Sequence, residues 1–159
     1  MIAVLVTGMS GSGKSTTLAE LARRGHRVVD TDDDGWSEDV RTPGDGIERL
    51  WREDRIEALL SEARAGVLFV SGCVANQGRF SPRFAAVVLL SVPEPELLER
   101  VASRTTNDFG KTGADLARIR ADLHEVEPLL RKGATAEIDT RAPVAEVADR
   151  LEAIAAAAG

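Results

Sequence analysis

The most constraining feature of this sequence is an eight-residue segment near its start, Gly8-Met9-Ser10-Gly11-Ser12-Gly13-Lys14-Ser15. It matches the pattern G-x-x-x-x-G-K-[ST] at every position. The apolar run of residues 2–7 precedes it and predicts a strand buried on both faces. The apolar spacing of residues 14–24 predicts a helix after it. The segment is therefore predicted to be the turn of a strand–turn–helix unit, the context in which this pattern binds phosphates.

Each residue type in this turn has a chemical reason. Glycines let backbone N–H groups point at an anion, and the start of the helix adds its positive dipole end. We expect Lys14 to place a compact ammonium between the β- and γ-phosphates of ATP, where a planar guanidinium would not fit. We expect Ser15 to offer its hydroxyl to Mg²⁺. The residues predicted to hold the nucleotide here are Gly8, Ser10, Gly11, Ser12, Gly13, Lys14, Ser15 and Thr16.

The composition excludes several classes of protein. The 159 residues carry a net charge of −6, which argues against a nucleic-acid binder held by a basic surface. A single cysteine, Cys73, excludes an intramolecular disulfide framework. No apolar run approaches the roughly 18 residues of a membrane span, and residues 1–7 lack the features of a signal peptide. We expect one cytoplasmic domain over residues 1–159, a monomer or weak homodimer with no nucleic-acid or membrane partner.

Strand and helix patterns alternate along the chain. Further strands are predicted at residues 27–30, 67–71, 85–92 and 135–138. Further helices are predicted at residues 47–65, 94–104 and 116–130 and from Pro143 onward, and residues 31–46 are predicted to be a loop. Such alternation indicates an α/β fold with a mainly parallel sheet.

A metal site is predicted at the end of the second strand. Neither the strand at residues 67–71 nor the one at residues 85–92 is followed by an acid, so a carboxylate for Mg²⁺ has to come from elsewhere. Asp30 and Asp32 stand at what would be the carboxyl edge of the sheet, beside the phosphate-binding turn. We expect Asp30 to reach a metal-bound water, and Asp32 to orient an acceptor hydroxyl or take its proton.

At this point the sequence resembles the small P-loop kinases, namely shikimate kinase and the adenylate-kinase-like enzymes. The segments that carry the resemblance are Gly8–Thr16, Val29–Asp32, Trp51-Arg52, Phe80–Arg104, Arg104–Lys111 and Glu137–Pro143. The resemblance implies a three-layer α/β/α P-loop NTPase fold with a five-stranded parallel sheet. It also implies an acceptor-binding insert at residues 31–64 and a lid loop at residues 105–113 that closes over ATP.

The resemblance also assigns roles to individual residues. It places Arg104 over the adenine or the phosphates, and Lys111 beside the transferring group. The segment bordering the adenine would contribute Thr140, Arg141 and Pro143. On the acceptor side, Arg52 and Gly72 would contact the substrate together with Asp32.

Two departures from the shikimate kinase pattern bear on the acceptor. No arginine precedes Pro128, where those enzymes hold the acceptor's carboxylate, and their Gly-Gly-Gly after the third strand is replaced by Ser71-Gly72-Cys73. The segment of residues 32–39 is also rich in acids, which would repel an anion at close range. We therefore expect a neutral or amino-bearing acceptor.

Three functions are compatible with the sequence. The first is transfer of the ATP γ-phosphoryl group to a hydroxyl of a small metabolite with Mg²⁺. The second is a nucleoside or nucleoside-monophosphate kinase, for which Arg41, Arg49, Arg52 and Arg55 would supply cations. The third is a nucleotide-dependent switch or ATPase that acts with a protein partner, because residues 105–113 could also be ordered by a γ-phosphate.

Overall fold

The computed structural model describes residues 1–33, 35–44, 46–62, 64–103 and 113–159. Over these ranges a five-stranded sheet and a two-stranded hairpin form the β-structure. The strands are β1 (Ile2–Thr7), β2 (Arg27–Asp30), β3 (Ser37–Arg41), β4 (Ile47–Trp51), β5 (Val67–Ser71), β6 (Ala86–Ser91) and β7 (Ala136–Asp139). The larger sheet has the order β2-β5-β1-β6-β7, with every pairing parallel.

Helices cover both faces of this sheet. They are α1 (Lys14–Arg23), α2 (Glu53–Leu60), α3 (Glu94–Ser103), α4 (Gly113–Glu125), α5 (Glu127–Gly133) and α6 (Val144–Ala158). On one face Leu18 of α1 and Leu151 of α6 share a buried cluster with Val4 of β1. On the other face Leu5 packs with Ile56 of α2. The predicted α/β class, with a five-stranded parallel sheet in three layers, is confirmed.

A third apolar cluster joins the helices to the phosphate-binding turn. Met9 packs with Leu97 of α3 and with Ile119 of α4. These helices follow β6 in the chain, so their packing on Met9 fixes one side of the turn. The phosphate-binding turn is therefore anchored to this buried cluster through Met9.

The predicted helix over residues 47–65 is wrong in its first part, and the predicted loop over residues 31–46 contains a strand. Strands β3 and β4 form an antiparallel hairpin in which Ser37 lies opposite Trp51. The backbone N–H of Trp51 donates to Asn76 Oδ1 at 2.8 Å, and Asn76 Nδ2 donates to the Trp51 carbonyl at 3.1 Å. These bonds hold β4 in an extended conformation. Ile47 is 71% exposed, so its apolar spacing does not mark a buried helix face.

The predicted helix over residues 116–130 is interrupted near Val126. Its residues belong to α4 and α5, and Pro128 stands in the first turn of α5. Proline has no backbone N–H and cannot donate to a carbonyl of the preceding turn. The apolar residues that predicted one helix are therefore divided between α4 and α5. None of the helices in the described ranges has both the length and the apolar character needed to cross a membrane.

All five parallel strands end at the same edge of the sheet. Thr7, Asp30, Ser71, Ser91 and Asp139 are their last residues. This arrangement brings the phosphate-binding turn after β1 between the segments that follow β5 and β6. Ligands of open α/β sheets bind at this edge, so the candidate site is sought there.

Candidate active site

A cavity of about 870 Å³ opens at the carboxyl edge of the sheet. The phosphate-binding turn and the start of α1 form its floor. Its walls come from the segments after β2, β5 and β7 and from α3, α4 and α6. The residues that line it are Met9, Ser10, Gly11, Gly13, Lys14, Ser15, Thr16, Thr17, Asp32, Cys73, Arg100, Asp122, Thr140, Ala142, Val144 and Val147.

Two glycines give the turn its shape. Gly11 has φ 86° and Gly13 has φ 101°, a conformation that side chains with a Cβ rarely adopt. A Cβ on Gly11 would also come within 2.8 Å of Val101 Cγ2. Gly13 caps α1 without a side-chain hydrogen bond, and no acid stands in the first turn of that helix. The positive end of α1 therefore faces the cavity with no carboxylate from its own first turn.

Lys14 folds over the turn that precedes it. Its Nζ donates to the Gly8 carbonyl at 2.6 Å and to the Met9 carbonyl at 3.1 Å. The ammonium is thus held above the same segment that is predicted to bind the phosphates. Of the residues predicted to hold the nucleotide in this turn, Ser10, Gly11, Gly13, Lys14, Ser15 and Thr16 line the cavity.

Ser15 and Asp30, the two residues predicted to serve the metal, are in contact. Ser15 Oγ donates to Asp30 Oδ2 at 3.0 Å, and the backbone N–H of Asp32 donates to Asp30 Oδ1 at 3.0 Å. Hydroxyl and carboxylate oxygens are the ligands that Mg²⁺ takes, usually few of them and completed by water and phosphate. No group of three or more His, Cys, Asp or Glu suited to a metal occurs among the described residues. The pair fits a nucleotide-bound Mg²⁺ and not a site made wholly by protein.

Thr31, which stands between the two acids, is fully buried and fixed by hydrogen bonds. Its Oγ1 donates to the Ser71 carbonyl at 2.7 Å and accepts a hydrogen bond from Trp51 Nε1 at 2.9 Å. Its backbone N–H donates to the same Ser71 carbonyl at 3.0 Å. Gly72 provides the room, because a Cβ there would clash with Thr31 Oγ1. Gly72 thus packs behind the acids and does not line the cavity.

Arg100 is a functional candidate that the sequence analysis missed. Its Nη2 donates to the Thr140 carbonyl at 2.7 Å, and its Nη1 donates to Thr140 Oγ1 at 3.0 Å and to the Gly11 carbonyl at 3.4 Å. Thr140 Oγ1 in turn donates to the Ser12 carbonyl at 2.6 Å. These bonds tie α3 and the segment after β7 to the phosphate-binding turn. A clue was present: Arg100 stands one helical turn before Arg104 on the predicted helix.

The remaining predicted residues fall in three places. Arg141 is exposed and paired with Asp139 at 2.6 Å, while Pro143 lies between two residues that line the cavity, Ala142 and Val144. Arg52 precedes α2 and lines a separate cavity beside the hairpin. Arg104, Lys111 and all of the predicted lid loop except Gly113 lie outside the described residues.

Cys73 is half-buried and forms part of the cavity wall, so it is more than a core residue. Burial raises the pKa of its thiol, and the negative charges of Asp32 and Asp122 act in the same direction. The positive charge of Lys14 and a hydrogen bond with Thr7 oppose them. Asp122, on α4, also lines the cavity, and no sequence motif predicted this.

Comparison with known proteins finds curated relatives for part of the chain. Curated HPr kinase/phosphorylase proteins of Bacillus cereus (strain B4264) and Bacillus anthracis (strain A0248) are each 38% identical over 85 residues, covering 50% of this chain and 26% of theirs. The chain therefore spans about a quarter of the length of the curated relatives that it matches.

Solved structures match nearly the whole chain. TT1252 from Thermus thermophilus is 23% identical with a TM-score of 0.62, over 98% of this chain and 96% of that one. Shikimate kinase from Acinetobacter baumannii, in complex with shikimate, is 20% identical with a TM-score of 0.65, over 96% and 91%. A gluconokinase from Sinorhizobium meliloti 1021 is 23% identical with a TM-score of 0.57, over 98% and 91%.

At these identities the solved structures show a shared fold, and they confirm the predicted resemblance to small P-loop kinases at that level. The family whose model matches residues 4–121 is described as an AAA domain. That range runs from β1 into α4 and includes the phosphate-binding turn, Asp30 and Asp32 at the end of β2, and Arg100. The chain belongs to this AAA domain family of P-loop proteins.

Proposed function

We propose that this protein is a phosphotransferase that moves the γ-phosphoryl group of ATP to a hydroxyl of a small molecule, with Mg²⁺. The observation that carries the proposal is the 3.0 Å contact between Ser15 Oγ and Asp30 Oδ2 beside Lys14. It joins the phosphate-binding turn after β1 to a carboxylate at the end of β2, on the far side of β5 in the sheet. A second carboxylate, Asp32, lines the same cavity.

The chain's own groups suit each part of such a transfer. The backbone N–H groups of the turn and the start of α1 would bind phosphate oxygens. Lys14 would offset negative charge on the transferring group. The acceptor oxygen would bond to the γ-phosphorus as the bond to the β-phosphate oxygen breaks and ADP leaves. Asp32 would receive the acceptor's hydroxyl proton.

Ser15 and Asp30 would hold Mg²⁺, which supplies charge neutralisation at the β- and γ-phosphates. Asp30 is itself fixed by its two hydrogen bonds, from Ser15 Oγ and from the backbone of Asp32. The second bond ties the backbone of Asp32, whose side chain would receive the proton, to the metal-binding carboxylate. Residues 1–159 would act as one kinase domain, with residues 31–64 on the acceptor side and residues 105–113 as the lid.

The geometry favours a small hydroxylated acceptor over a nucleoside monophosphate. The four arginines considered for a phosphate on the acceptor side all lie outside the lining of the cavity. Arg49 pairs with Asp39 at 3.3 Å, and Arg55 donates to the Gly35 carbonyl at 2.9 Å while its guanidinium lies 4.7 Å from the Trp36 ring centroid. The similarity to HPr kinase/phosphorylase supports phosphoryl transfer. It covers only 26% of those proteins, which is too little to indicate which acceptor this chain uses.

The test is product analysis with Mg-ATP and a panel of hydroxylated metabolites, nucleosides and nucleoside monophosphates. At least one acceptor is expected to raise ADP formation and to gain a phosphoryl group. Lys14→Ala should abolish this turnover, while Lys132→Ala, which removes an exposed lysine at the end of α5, should not. ADP formation that is identical with and without every acceptor would rule out the phosphotransferase and leave an ATPase or switch.

A further inference from the structure

Gln77 carries a buried side-chain amide that is bonded at both ends. It stands after β5, at the start of the 3₁₀ turn Gln77–Arg83, and is 8% exposed. Its Oε1 accepts a hydrogen bond from the backbone N–H of Val74 at 3.0 Å, and its Nε2 donates to Thr7 Oγ1 at 3.0 Å. Because a backbone N–H can only donate, the Val74 bond determines which end of the amide faces Thr7.

The Nε2 end of this amide holds the entry to the phosphate-binding turn. Thr7 is the last residue of β1, and it is buried. The next residue, Gly8, provides the carbonyl to which Lys14 Nζ donates at 2.6 Å. Gln77 is therefore bonded to the residue from which the turn begins, next to the carbonyl that holds the ammonium.

The Oε1 end holds the cavity wall that follows β5. Cys73 is the residue of this segment that lines the cavity. On its N-terminal side, the backbone N–H of Gly72 donates to the Val6 carbonyl at 3.2 Å. On its C-terminal side, the backbone N–H of Val74 donates to Gln77. Loss of the amide would loosen this side of the wall, because a buried N–H would be left without its acceptor.

These two parts of the cavity would contact different reactants in the proposed transfer. The turn would bind the phosphates of ATP. The wall after β5 lies beside the segment that carries Asp32, because β2 and β5 are neighbours in the sheet and Thr31 bonds to the Ser71 carbonyl. In-line transfer needs the reacting atoms about 3–3.5 Å apart, and a misplacement of about 1 Å can slow a reaction on the order of a hundredfold.

We propose that Gln77 is a positioning residue that sets the separation between the γ-phosphoryl group of ATP and the acceptor. This inference rests on the proposed phosphotransferase function. Gln77 is not among the residues that line the cavity, so it acts through Thr7 and Val74 and touches neither reactant. We therefore expect its loss to lower the rate of transfer more than the binding of either reactant.

The hold on the wall can be tested without turnover. Cys73 is the single cysteine of the chain, so a methanethiosulfonate reagent reports on this wall alone. Labelling rates are measured with a small reagent (methyl) and a bulky one (benzyl), both uncharged. A change in the thiol pKa affects both rates equally and cancels in their ratio. A looser wall admits the bulky reagent more readily and raises the ratio of bulky to small labelling.

The variant is Gln77→Met, which keeps the length of the side chain and loses both hydrogen bonds, with Thr135→Val as the matched control. Thr135 Oγ1 bonds to the N–H and the carbonyl of Val87 at 2.9 and 3.1 Å, at the edge of the sheet opposite the cavity. The labelling ratio should rise about fivefold in Gln77→Met, the change expected from the net loss of a hydrogen bond, and stay within about twofold in Thr135→Val. An unchanged ratio in Gln77→Met, or an equal rise in both variants, would overturn the proposal.

Kinetics then test the effect on transfer, in Gln77→Met, in Thr7→Val and in the double variant. The probes are D-glucose, 2-aminoethanol, shikimate and D-gluconate with Mg-ATP. For the probe that is turned over best, each single variant should lower kcat about tenfold or more, with the acceptor's KM and the Kd for ADP within about threefold of the wild type. Because both substitutions break the same bond, the double variant should be at most about threefold slower than the slower single variant. Thr7→Ser, which keeps the hydroxyl, should restore kcat.

A wild-type kcat in Gln77→Met or in Thr7→Val would overturn the proposal. So would a double variant whose loss of kcat is the product of the two single losses, because Gln77 would then not act through Thr7. If no acceptor at all raises ADP formation in the wild type, it is the proposed function that fails. The labelling ratio alone then supports or overturns the role of Gln77 in holding the wall.

Discussion

Trp51 and Thr31 are joined by a buried hydrogen bond in which the indole Nε1 donates to the threonine Oγ1 at 2.9 Å. The bond links the β3–β4 hairpin to the residue between Asp30 and Asp32. Asn76 holds the backbone of Trp51 through both its amide N–H and its carbonyl. The position of the two candidate acids thus depends on a hairpin that itself contributes nothing to the cavity lining.

We expect Thr31→Val to damage catalysis as well as stability. Valine keeps the shape of the side chain but leaves Trp51 Nε1 buried without an acceptor, which costs about 1–3 kcal/mol in the free energy of unfolding. Without the bonds of the Thr31 hydroxyl, Asp30 and Asp32 should be held less firmly. We therefore expect kcat to fall at least tenfold, with little change in the Kd for ADP. Urea unfolding, ADP titration and ADP-formation kinetics measure the three quantities.

Thr31→Ser is the matched variant, because it keeps the hydroxyl that bonds to Trp51 and to Ser71. It should retain most of the wild-type kcat. If Thr31→Val turned over at the wild-type rate, or if serine were as damaging as valine, the hydroxyl would have no part in placing the acids.

Asp30→Asn should change the response to Mg²⁺ more than the binding of nucleotide. The amide keeps an oxygen near Ser15 but removes the charge that a hard cation prefers. The Mg²⁺ concentration for half-maximal activity should rise at least tenfold, while ADP binding measured in EDTA changes less than threefold. Asp33→Asn, at the neighbouring exposed acid, serves as the control. Equal Mg²⁺ dependence in wild type and Asp30→Asn would remove Asp30 from the metal site.

The parallel sheet and the phosphate-binding turn could be predicted because their signals are local. A buried strand, a fixed pattern of glycines and a helix follow each other within residues 2–24, so no distant contact is needed to recognise them. The contact between Ser15 and Asp30 also followed from the sequence, since parallel strands bring their carboxyl ends to one edge.

Neither the β3–β4 hairpin nor the contact of Arg100 with the phosphate-binding turn could be predicted in the same way. Residues 47–51 have a spacing that suits a helix, but they pair with β3 instead, and the side chain of Asn76 holds the backbone of Trp51 from 25 residues later in the chain. Arg100 binds Thr140 across 40 residues, so its role depends on how α3 packs beside β7. Gly72 was expected to contact the acceptor, yet its lack of a side chain makes room for Thr31 and Trp51.

Arg100→Ala should weaken nucleotide binding through the loss of its bonds to the turn. The guanidinium bridges the carbonyls of Thr140 and Gly11, and the alanine variant frees the segment after β7 from the phosphate-binding turn. We expect the Kd for ADP to rise about tenfold or more. Arg150→Ala, which removes an exposed arginine on α6, should leave it unchanged. A wild-type Kd in Arg100→Ala, measured by calorimetry, would contradict this role.

Glu20 should contribute to the acid sensitivity of the fold. Hydrogen bonds from Arg23 and Arg24 lower its pKa from 4.5 to about 2, and Arg24 also pairs with Asp149 on α6 at 2.7 Å. Because the pKa is lower in the folded state, the stabilisation is present above about pH 4.5 and is lost as the pH falls towards 2. Glu20→Gln lacks this contribution, so its free energy of unfolding should fall less between pH 5 and about pH 2.5 than that of the wild type. Urea unfolding across this window measures the difference, with Glu125→Gln as the exposed control. Parallel curves for wild type and Glu20→Gln would show that the pairing at α1 adds nothing to stability.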